Sequence, residues 1–449
     1  MSTLLDDTAL RAGRYLESLD SRAVAPTPEA IAALEKFEQP FPAAESTAEA
    51  VIAELDEIGS AATMASAGGR FFGFVIGGSL PVTVAANWLA TTWDQNAGLV
   101  VTAPVNATLE NVALRWLREI FHLPTGGAGG FVTCATAANF SALAAARHSL
   151  LARSGWDVEA QGLFGAPPLT VVIGEEVHAS VQKALALVGF GRERVVRVPV
   201  DAQGRMRADA FPPVDARTVV CVQAGNVNTG AFDPIEEICK RARSQGAWVH
   251  VDGAFGMWAA AAPALAHLAR GIEDADSWAT DAHKWLNVPY DSGLVFTRDA
   301  SALRAAMSVG AAYLAQEEDR IPYQFTPEFS RRARGIEVWA ALRQLGRHGL
   351  ADLIERTCRY SRRFAEGLRA AGYPVLNDVV LNQVLVSFGS AERTREVIKR
   401  IQDEGTCWCG GTVWQGHTAM RISVSSWATT EADVERSLAA MLQAAASTH

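Results

Sequence analysis

A lysine and an aspartate thirty-two positions apart carry the most chemistry in this 449-residue chain. Lys284 follows a histidine in Ser277-Trp-Ala-Thr-Asp-Ala-His-Lys-Trp285, and Asp252 closes an apolar run in Val249-His-Val-Asp-Gly-Ala-Phe-Gly256. A lysine amine can hold an aldehyde as a Schiff base, and a carboxylate can keep a pyridine nitrogen protonated as an electron sink. Those are the two groups an enzyme using pyridoxal 5'-phosphate (PLP) requires. Without the carboxylate, the ring cannot take up the electrons released when a bond at the substrate's α-carbon breaks. The pairing predicts amino-acid chemistry.

His178 follows a strand candidate by five positions and leads into a helix. Its imidazole either stacks on a cofactor ring or caps that helix. Gly126-Gly-Ala-Gly-Gly130 runs through Phe131-Val-Thr-Cys-Ala-Thr136 to a helix expected to begin near Ala137. Unpaired N–H groups at such a helix start suit a phosphate, and a flexible turn explains the glycines equally well. The run is neither a dinucleotide fingerprint nor a Walker motif.

These residues need a scaffold, and the middle of the chain supplies its pattern. Strand candidates are Leu169–Ile173, Val195–Val198, Thr218–Val222, Trp248–Asp252, Ser277–Thr280 and Gly293–Phe296. Helical stretches Ala138–Ser149, Ala179–Val188 and Pro234–Gln245 lie between them. Strands alternating with helices predict an α/β fold with a mostly parallel sheet covered on both faces. Asp233-Pro-Ile-Glu236 reads as a cap residue, a proline at the first helical position and a glutamate in the first turn. In such sheets ligands bind beyond the carboxyl ends of the strands, so one site could gather Asp252, His178 and Lys284.

We expect three segments. Residues 1–75 form a proline-punctuated helical stretch with too little apolar periodicity to fold alone, which suits wrapping a partner subunit. Residues 76–310 form the large domain. Residues 311–449 begin with a loop lacking periodicity, Ala311–Ser330, and continue as a small α+β domain. Its elements are helices Arg332–Leu345 and Leu350–Ala371, strand-like Pro374–Phe388, helix Arg393–Asp403, strand-like Met420–Ser425 and a capped helix from Thr430.

Composition narrows the class. Apolar residues make up 49% and charged residues 20%, ordinary values for a globular enzyme. A net charge of −9 without basic blocks argues against nucleic acid or an anionic membrane as partner. The first thirty residues carry no apolar signal core, and the longest apolar run, around Met257–Ala269, is broken by Pro263 and His267. A cytoplasmic location is expected. Six cysteines without a CxxC pair read as free thiols, and nine scattered histidines without HExxH give no support for a metal.

With these residues in place, the chain resembles the group II PLP-dependent amino-acid decarboxylases, which include the aromatic-amino-acid and glutamate decarboxylases. The resemblance runs from about Arg70 to Ala440. It rests on Arg70-Phe-Phe72, Ala103-Pro104 with Glu110, Thr136 with Asn139, Glu176-Val-His178, Gly230-Ala-Phe-Asp-Pro234, His250-Val-Asp252, His283-Lys-Trp285, Ala311-Ala-Tyr-Leu314 and Ser330-Arg-Arg332, in the family's order. Each is a loose match; the ordered set is specific.

The resemblance implies an aspartate-aminotransferase-like fold (fold type I), PLP as cofactor and a site built across an obligate homodimer. It makes Lys284 the Schiff-base lysine, Asp252 the partner of the ring nitrogen and His178 the residue stacked on the ring. Ala254 packs on the opposite ring face, while backbone at Ala135 and Thr136 with His283 holds the phosphate. Arg421 receives a substrate carboxylate, and Tyr323 corresponds to a loop tyrosine that returns a proton to the α-carbon. Tyr313 is structural. Two departures stand out. Gly225-Asn-Val227 replaces the family's Gly-Thr-Thr, leaving Asn226 or Asn228 to supply the missing hydrogen bond. Phe74 replaces a glutamine that helps glutamate decarboxylases bind their acidic substrate, and an apolar ring would desolvate a side-chain carboxylate without pairing it. Phe71, Phe72, Phe74, Trp88 and Trp93 suit an aromatic or bulky apolar substrate, with three of the five expected to be plain core.

The reading is α-decarboxylation of an L-amino acid to an amine and CO₂. Oxidative decarboxylation to an aldehyde is the alternative within enzymes, and Tyr323 argues for the amine. A carbon–carbon lyase is disfavoured by the lack of a membrane-anchoring segment, and a silent PLP-fold protein by intact Lys284, Asp252 and His178.

Overall fold

Valine and isoleucine runs separated by alanine-rich helical stretches build a seven-stranded sheet in a computed structural model that describes residues 2–309 and 320–448. Its strands are β1 (Ala128–Val132), β2 (Thr170–Gly174), β3 (Val196–Val198), β4 (Thr218–Gln223), β5 (Trp248–Asp252), β6 (Ser277–Asp281) and β7 (Gly293–Thr297). Their order is β1-β7-β6-β5-β4-β2-β3, parallel except for β7, which runs against both β1 and β6. Gln223 pairs with Asp252, Asp252 with Ala279, and both Asp281 and Val132 with Gly293. The register therefore brings the carboxyl ends of β1, β4, β5 and β6 to one edge.

The helices that follow in the chain are α1 (Pro81–Trp93), α2 (Pro104–Ile120), α3 (Ala135–Arg153), α4 (Ala179–Leu187), α5 (Ile235–Ser244), α6 (Ala300–Met307) and α7 (Gly335–Ala370). The small side chains of α3 let it lie close to the sheet. Ala138, Ala142, Ala145 and Leu150 are fully buried in one cluster with Ile173, Val219 and Val295. Each such fully buried branched side chain contributes roughly 1.5–3 kcal/mol. The stretch α7 is two helices meeting at a kink at Gly346, whose φ of 58° and ψ of −171° are open to glycine, in line with the two helices expected there.

Two sequence expectations are corrected here. The glycine run is only partly a turn: Gly126 lies in one, but Ala128–Val132 is a buried strand. A Cβ on Gly129 would meet Phe296 Cδ1 at 2.8 Å, and one on Gly130 would meet the Phe325 carbonyl at 2.6 Å, so the glycines serve close packing. Nor does Asp233 cap α5, whose N-cap is Pro234. The Asp233 carboxylate is buried and accepts the backbone N–H of Met206 and of Gln223, each at 2.7 Å. Two strand-side donors outcompete the helix start.

The chain divides into two compact units, Ser79–Arg362 with Asn377–Gln383, and Met1–Gly78 with Arg363–Leu376 and Val384–His449. These borders differ from those expected at 75 and 310. Residues 320–362 stay with the larger unit because Arg331 is buried on Glu110, Nη2 to Oε1 3.0 Å, and donates to the carbonyls of Ala97 and Phe131. The two ends of the N-terminal stretch fold onto the C-terminal part of its own chain, while the helices between them bury no residue. Leu19, Val24, Ala65 and Phe71 bury together with Tyr15 and Trp408, and Arg70 donates to the carbonyls of Leu19, Asp20, Arg22 and Thr406. This unit also holds a three-stranded sheet of β8 (Gln383–Val386), β9 (Gly410–Trp414) and β10 (His417–Ser423) in the order β8-β10-β9. With it lie α8 (Ala391–Glu404) and α9 (Glu431–Ala446), the latter opened by a capping box of Thr430 and Asp433.

Among the described residues no helix is long and apolar enough to cross a membrane, and no cluster of His, Cys, Asp or Glu could hold a metal ion. All six cysteines are free.

Candidate active site

At the carboxyl edge of the sheet, the turn after β6 carries Lys284 back beside its own strand end. Lys284 Nζ lies 2.9 Å from Asp281 Oδ2, with the lysine side chain 18% exposed and the aspartate 2%. Asp281 Oδ1 accepts the backbone N–H of Ala135 at 2.6 Å. Ala135 is the first residue of α3, so a carboxylate sits on a helix N-terminus whose N–H groups and dipole favour negative charge. His283 Nε2 lies 3.7 Å from the same oxygen. Because His283 Nδ1 accepts the Ser292 N–H at 3.0 Å, the ring proton sits on Nε2 and faces the carboxylate. Burial holds the His283 pKa below its ordinary value, and the Tyr290 ring stacks on it at 4.2 Å. An amide, an amine and an imidazole thus converge on one buried anion. Thr136, half-buried, is the next residue of the same helix start.

One strand away, Asp252 ends β5, nearly buried, with donors on both oxygens. Ala254 N–H reaches Oδ1 at 3.2 Å, while Asn139 Nδ2 and Ser180 Oγ reach Oδ2 at 3.4 Å each. These bonds offset the cost of burying the charge. The Ala254 carbonyl accepts from Asp281 N at 2.9 Å, which ties the Asp252 turn to the Lys284 turn. His178 is the N-cap of α4, its Nδ1 accepting from Ser180 N at 3.2 Å and lying 2.8 Å from Ser180 Oγ. Ser180 Oγ thus lies between His178 Nδ1 and Asp252 Oδ2, with one hydroxyl proton to give. The helix-capping reading of His178 holds in the structure.

The donor set suits PLP. A helix start with a backbone amide and a neutral imidazole matches a phosphate, an amine matches an aldehyde, and a buried carboxylate at the adjacent strand end matches a basic ring nitrogen. The structure brings Lys284, His283 and Ala135 together around Asp281, with Asp252 at the end of β5, Ala254 in the turn after it and His178 at the start of α4, next to Ser180.

Other expected residues are placed differently. Asn226 uses its side-chain oxygen locally, accepting from Asn228 N at 2.8 Å and Thr229 N at 3.3 Å, so it closes the turn that contains it. Tyr323, expected on a loop, is 2% exposed in the short 3₁₀ turn Pro322–Phe325, and its ring stacks on Phe329 at 4.7 Å. Tyr313 lies outside the described residues. Of the five aromatic candidates, Phe71 and Phe72 are core, whereas Phe74, Trp88 and Trp93 are 62%, 41% and 45% exposed. Two of the five are core, not three. Phe74 has a φ of 54° and its ring tilts on Trp408 at 5.5 Å. Phe74 and Arg421 belong to the smaller unit, where burial lowers the Arg421 pKa.

Sequence reasoning missed Asp281. A carboxylate three positions before a lysine was the available signal, and it reads equally well as a strand end. Asn139 entered only as a motif residue without a role, and Ser180 not at all, because a helix start does not disclose which of its polar residues faces the sheet.

The family model described as the pyridoxal-dependent decarboxylase conserved domain matches residues 31–389. An aromatic-L-amino-acid decarboxylase of Drosophila lebanonensis is 30% identical over 338 residues, covering 68% of this chain and 80% of that protein. A 4-hydroxyphenylacetaldehyde synthase of Rhodiola rosea is 27% identical over 364 residues, covering 74% of this chain and 72% of that one. A crystal structure of Oryza sativa TDC with PLP and tryptamine superposes with a TM-score of 0.91 at 22% identity, over 99% of this chain and 97% of that chain, which shows the shared fold.

Proposed function

The chain belongs to the pyridoxal-dependent decarboxylase family, and from that premise we propose that it converts an L-amino acid with an aromatic or bulky apolar side chain to the amine and CO₂. It is a PLP-dependent amino-acid decarboxylase. The observation that carries the reading is the convergence of Lys284, His283 and the Ala135 amide on Asp281, one strand from the hydrogen-bonded carboxylate of Asp252.

When bound, the cofactor supplies an aldehyde for a lysine amine and a cationic ring that accepts the electron pair left by the departing carboxylate. Lys284 is the amine in this reading. Asp252 would hold the ring nitrogen and its proton, and the donors from Ala254, Asn139 and Ser180 fix the orientation of its carboxylate. With the cofactor bound, His178 would cover one face of the ring and Ala254 the other, as the resemblance implies. The amides of Ala135 and Thr136 and the Nε2–H of His283 bind the phosphate. Tyr323 returns a proton to the α-carbon once CO₂ has left. Exposed Trp88 supports an aromatic pocket wall, while the substrate-side roles of Phe74 and Arg421 and a cofactor contact from Asn226 rest on the resemblance.

Trp88, Leu89 and Trp93 leave an apolar face on α1, which supports a homodimer. Six free thiols support a reducing, cytoplasmic setting.

One observation favours a second reading. Tyr323 is buried in a turn, so its hydroxyl is less available than a loop residue's would be. Without a proton donor, oxidation by dioxygen and hydrolysis would release an aldehyde, CO₂, ammonia and hydrogen peroxide. Product analysis separates the two. The PLP-loaded enzyme is offered each common L-amino acid, CO₂ is measured and the organic product identified by mass spectrometry. An amine from an aromatic substrate supports the first reading, an aldehyde with peroxide the second, and CO₂ from acidic substrates alone would refute the pocket assignment.

A further inference from the structure

Behind Asp252 lies a chain of buried polar groups that the proposed chemistry does not touch. Trp248, His250 and Asp252 alternate along β5, Ser277 pairs with His250 across the strand boundary, and Asn139 lies on α3 one turn beyond Ala135. All five residues are buried. Trp248 Nε1 lies 2.9 Å from Ser277 Oγ, Ser277 Oγ 3.0 Å from His250 Nδ1, and His250 Nε2 2.8 Å from Asn139 Oδ1. Asn139 Nδ2 continues to Asp252 Oδ2 at 3.4 Å and to Ser180 Oγ at 3.3 Å.

Chemistry fixes the direction of every link. An ionised carboxylate only accepts, so Asn139 must turn its NH₂ toward Asp252 and its oxygen toward His250. That oxygen also only accepts, so His250 carries its proton on Nε2 and leaves Nδ1 bare. Ser277 must then donate to Nδ1, and its own oxygen is free to accept from the indole N–H of Trp248, which can only donate. No link can be reversed without leaving two donors or two acceptors face to face. Burial depresses the His250 pKa to about 3, so the ring stays neutral and the tautomer is set by its neighbours.

We infer that His250 is a positioning residue, the centre of a one-way relay from Trp248 through Ser277, His250 and Asn139 that presents a hydrogen-bond donor to Asp252 and so fixes the carboxylate that faces the cofactor's ring nitrogen. The inference rests on the proposed role of Asp252. His250 touches no reacting atom in it. Its work is to lock the amide of Asn139 the right way round, because an amide free to flip would turn an oxygen against a carboxylate. A merely structural histidine would affect stability and nothing at the ring.

The test uses purified holoenzyme reconstituted with PLP labelled with ¹⁵N in the ring. It reads the cofactor dissociation constant, the ring ¹⁵N resonance, which reports protonation of that nitrogen, and the melting temperature. Asp252→Asn is the reference. His250→Leu is expected to weaken cofactor binding roughly tenfold, the worth of one hydrogen bond to a charged group, and to move the resonance toward that of Asp252→Asn. His250→Gln, whose amide N–H can stand in for Nε2–H, should restore most of both. If His250→Leu does not fold, Asn139→Ala reads the same link from the other side with the same expected shifts. A lowered melting temperature with an unchanged dissociation constant and resonance would overturn the relay. If Asp252→Asn itself leaves the resonance unchanged, the role of Asp252 fails instead, and the inference falls with it.

Discussion

Asp281 bridges the amine of Lys284 and the start of α3, with Oδ2 2.9 Å from Nζ and Oδ1 2.6 Å from the Ala135 nitrogen. The carboxylate occupies the donors proposed for the cofactor phosphate, and it holds the lysine amine as an ion pair. Cofactor entry therefore sets a second anion against a resident one.

Asp281→Asn tests this relationship. The amide oxygen can still accept from Ala135, but the negative charge and the lysine pairing are lost. The apoprotein should lose about 1–3 kcal/mol of stability, because a nearly buried ammonium is left with a weaker partner. PLP should bind more tightly, because the phosphate no longer meets a carboxylate. Urea denaturation of the apoprotein and fluorescence titration with PLP check the two effects. Tighter binding would fail to appear if Asp281 had no part in the phosphate site.

Tyr323→Phe removes one hydroxyl from a packed turn while keeping the ring stacked on Phe329. CO₂ release should continue, with the product moving from amine toward aldehyde. Mass spectrometry of the product mixture decides. An unchanged amine yield would remove Tyr323 from the proton-return step.

Asp233 predicts a pH effect with a definite sign. Burial raises its pKa from the ordinary carboxyl range to about 6, against the bonds from Met206 and Gln223 that lower it. Native Asp233 thus binds a proton more tightly than the unfolded chain does, so its contribution to stability falls as pH rises from about 4 to about 6. The loss amounts to about 3 kcal/mol. The stability difference between the native chain and Asp233→Asn, measured by urea midpoints, should be more favourable to the native chain at pH 4.5 than at pH 7. A difference independent of pH would contradict the raised pKa.

Arg331 and Glu110 form a fully buried ion pair that anchors the segment after residue 320 to the larger unit. Arg331→Met leaves the carboxylate buried, among the described residues, with Arg320, 3.4 Å away, and Asn106, and should cost about 3–5 kcal/mol. Thermal denaturation reads this directly. A change below 1 kcal/mol would mean that Arg320 alone neutralises Glu110.

The parts of the fold legible in the sequence were those whose signal is local. Val171-Val-Ile173 and Val219-Val-Cys-Val222 are strands by composition alone, and their alternation with helices gave the parallel sheet and its ligand edge. Ala128–Val132 escaped notice because glycines carry no strand preference, and only the approach of Phe296 and Phe325 explains them. Asp233 looked like a cap because proline follows it, but tertiary donors took its carboxylate. Around the candidate site, Lys284 and Asp252 were visible from residue type and spacing. The roles of Asp281, Asn139 and His250 were not, because their work depends on which groups a strand register and a helix start bring opposite them. Likewise Phe74 and Phe72 differ by two positions in sequence and by most of their surface in exposure.

The most direct test of the central claim is to load the purified chain with PLP, reduce with borohydride and locate the attached pyridoxyl group by peptide mass spectrometry. The account predicts a single modified residue, Lys284, in the peptide carrying Asp281-Ala-His-Lys-Trp285. Attachment at another lysine, or none at all, would contradict it.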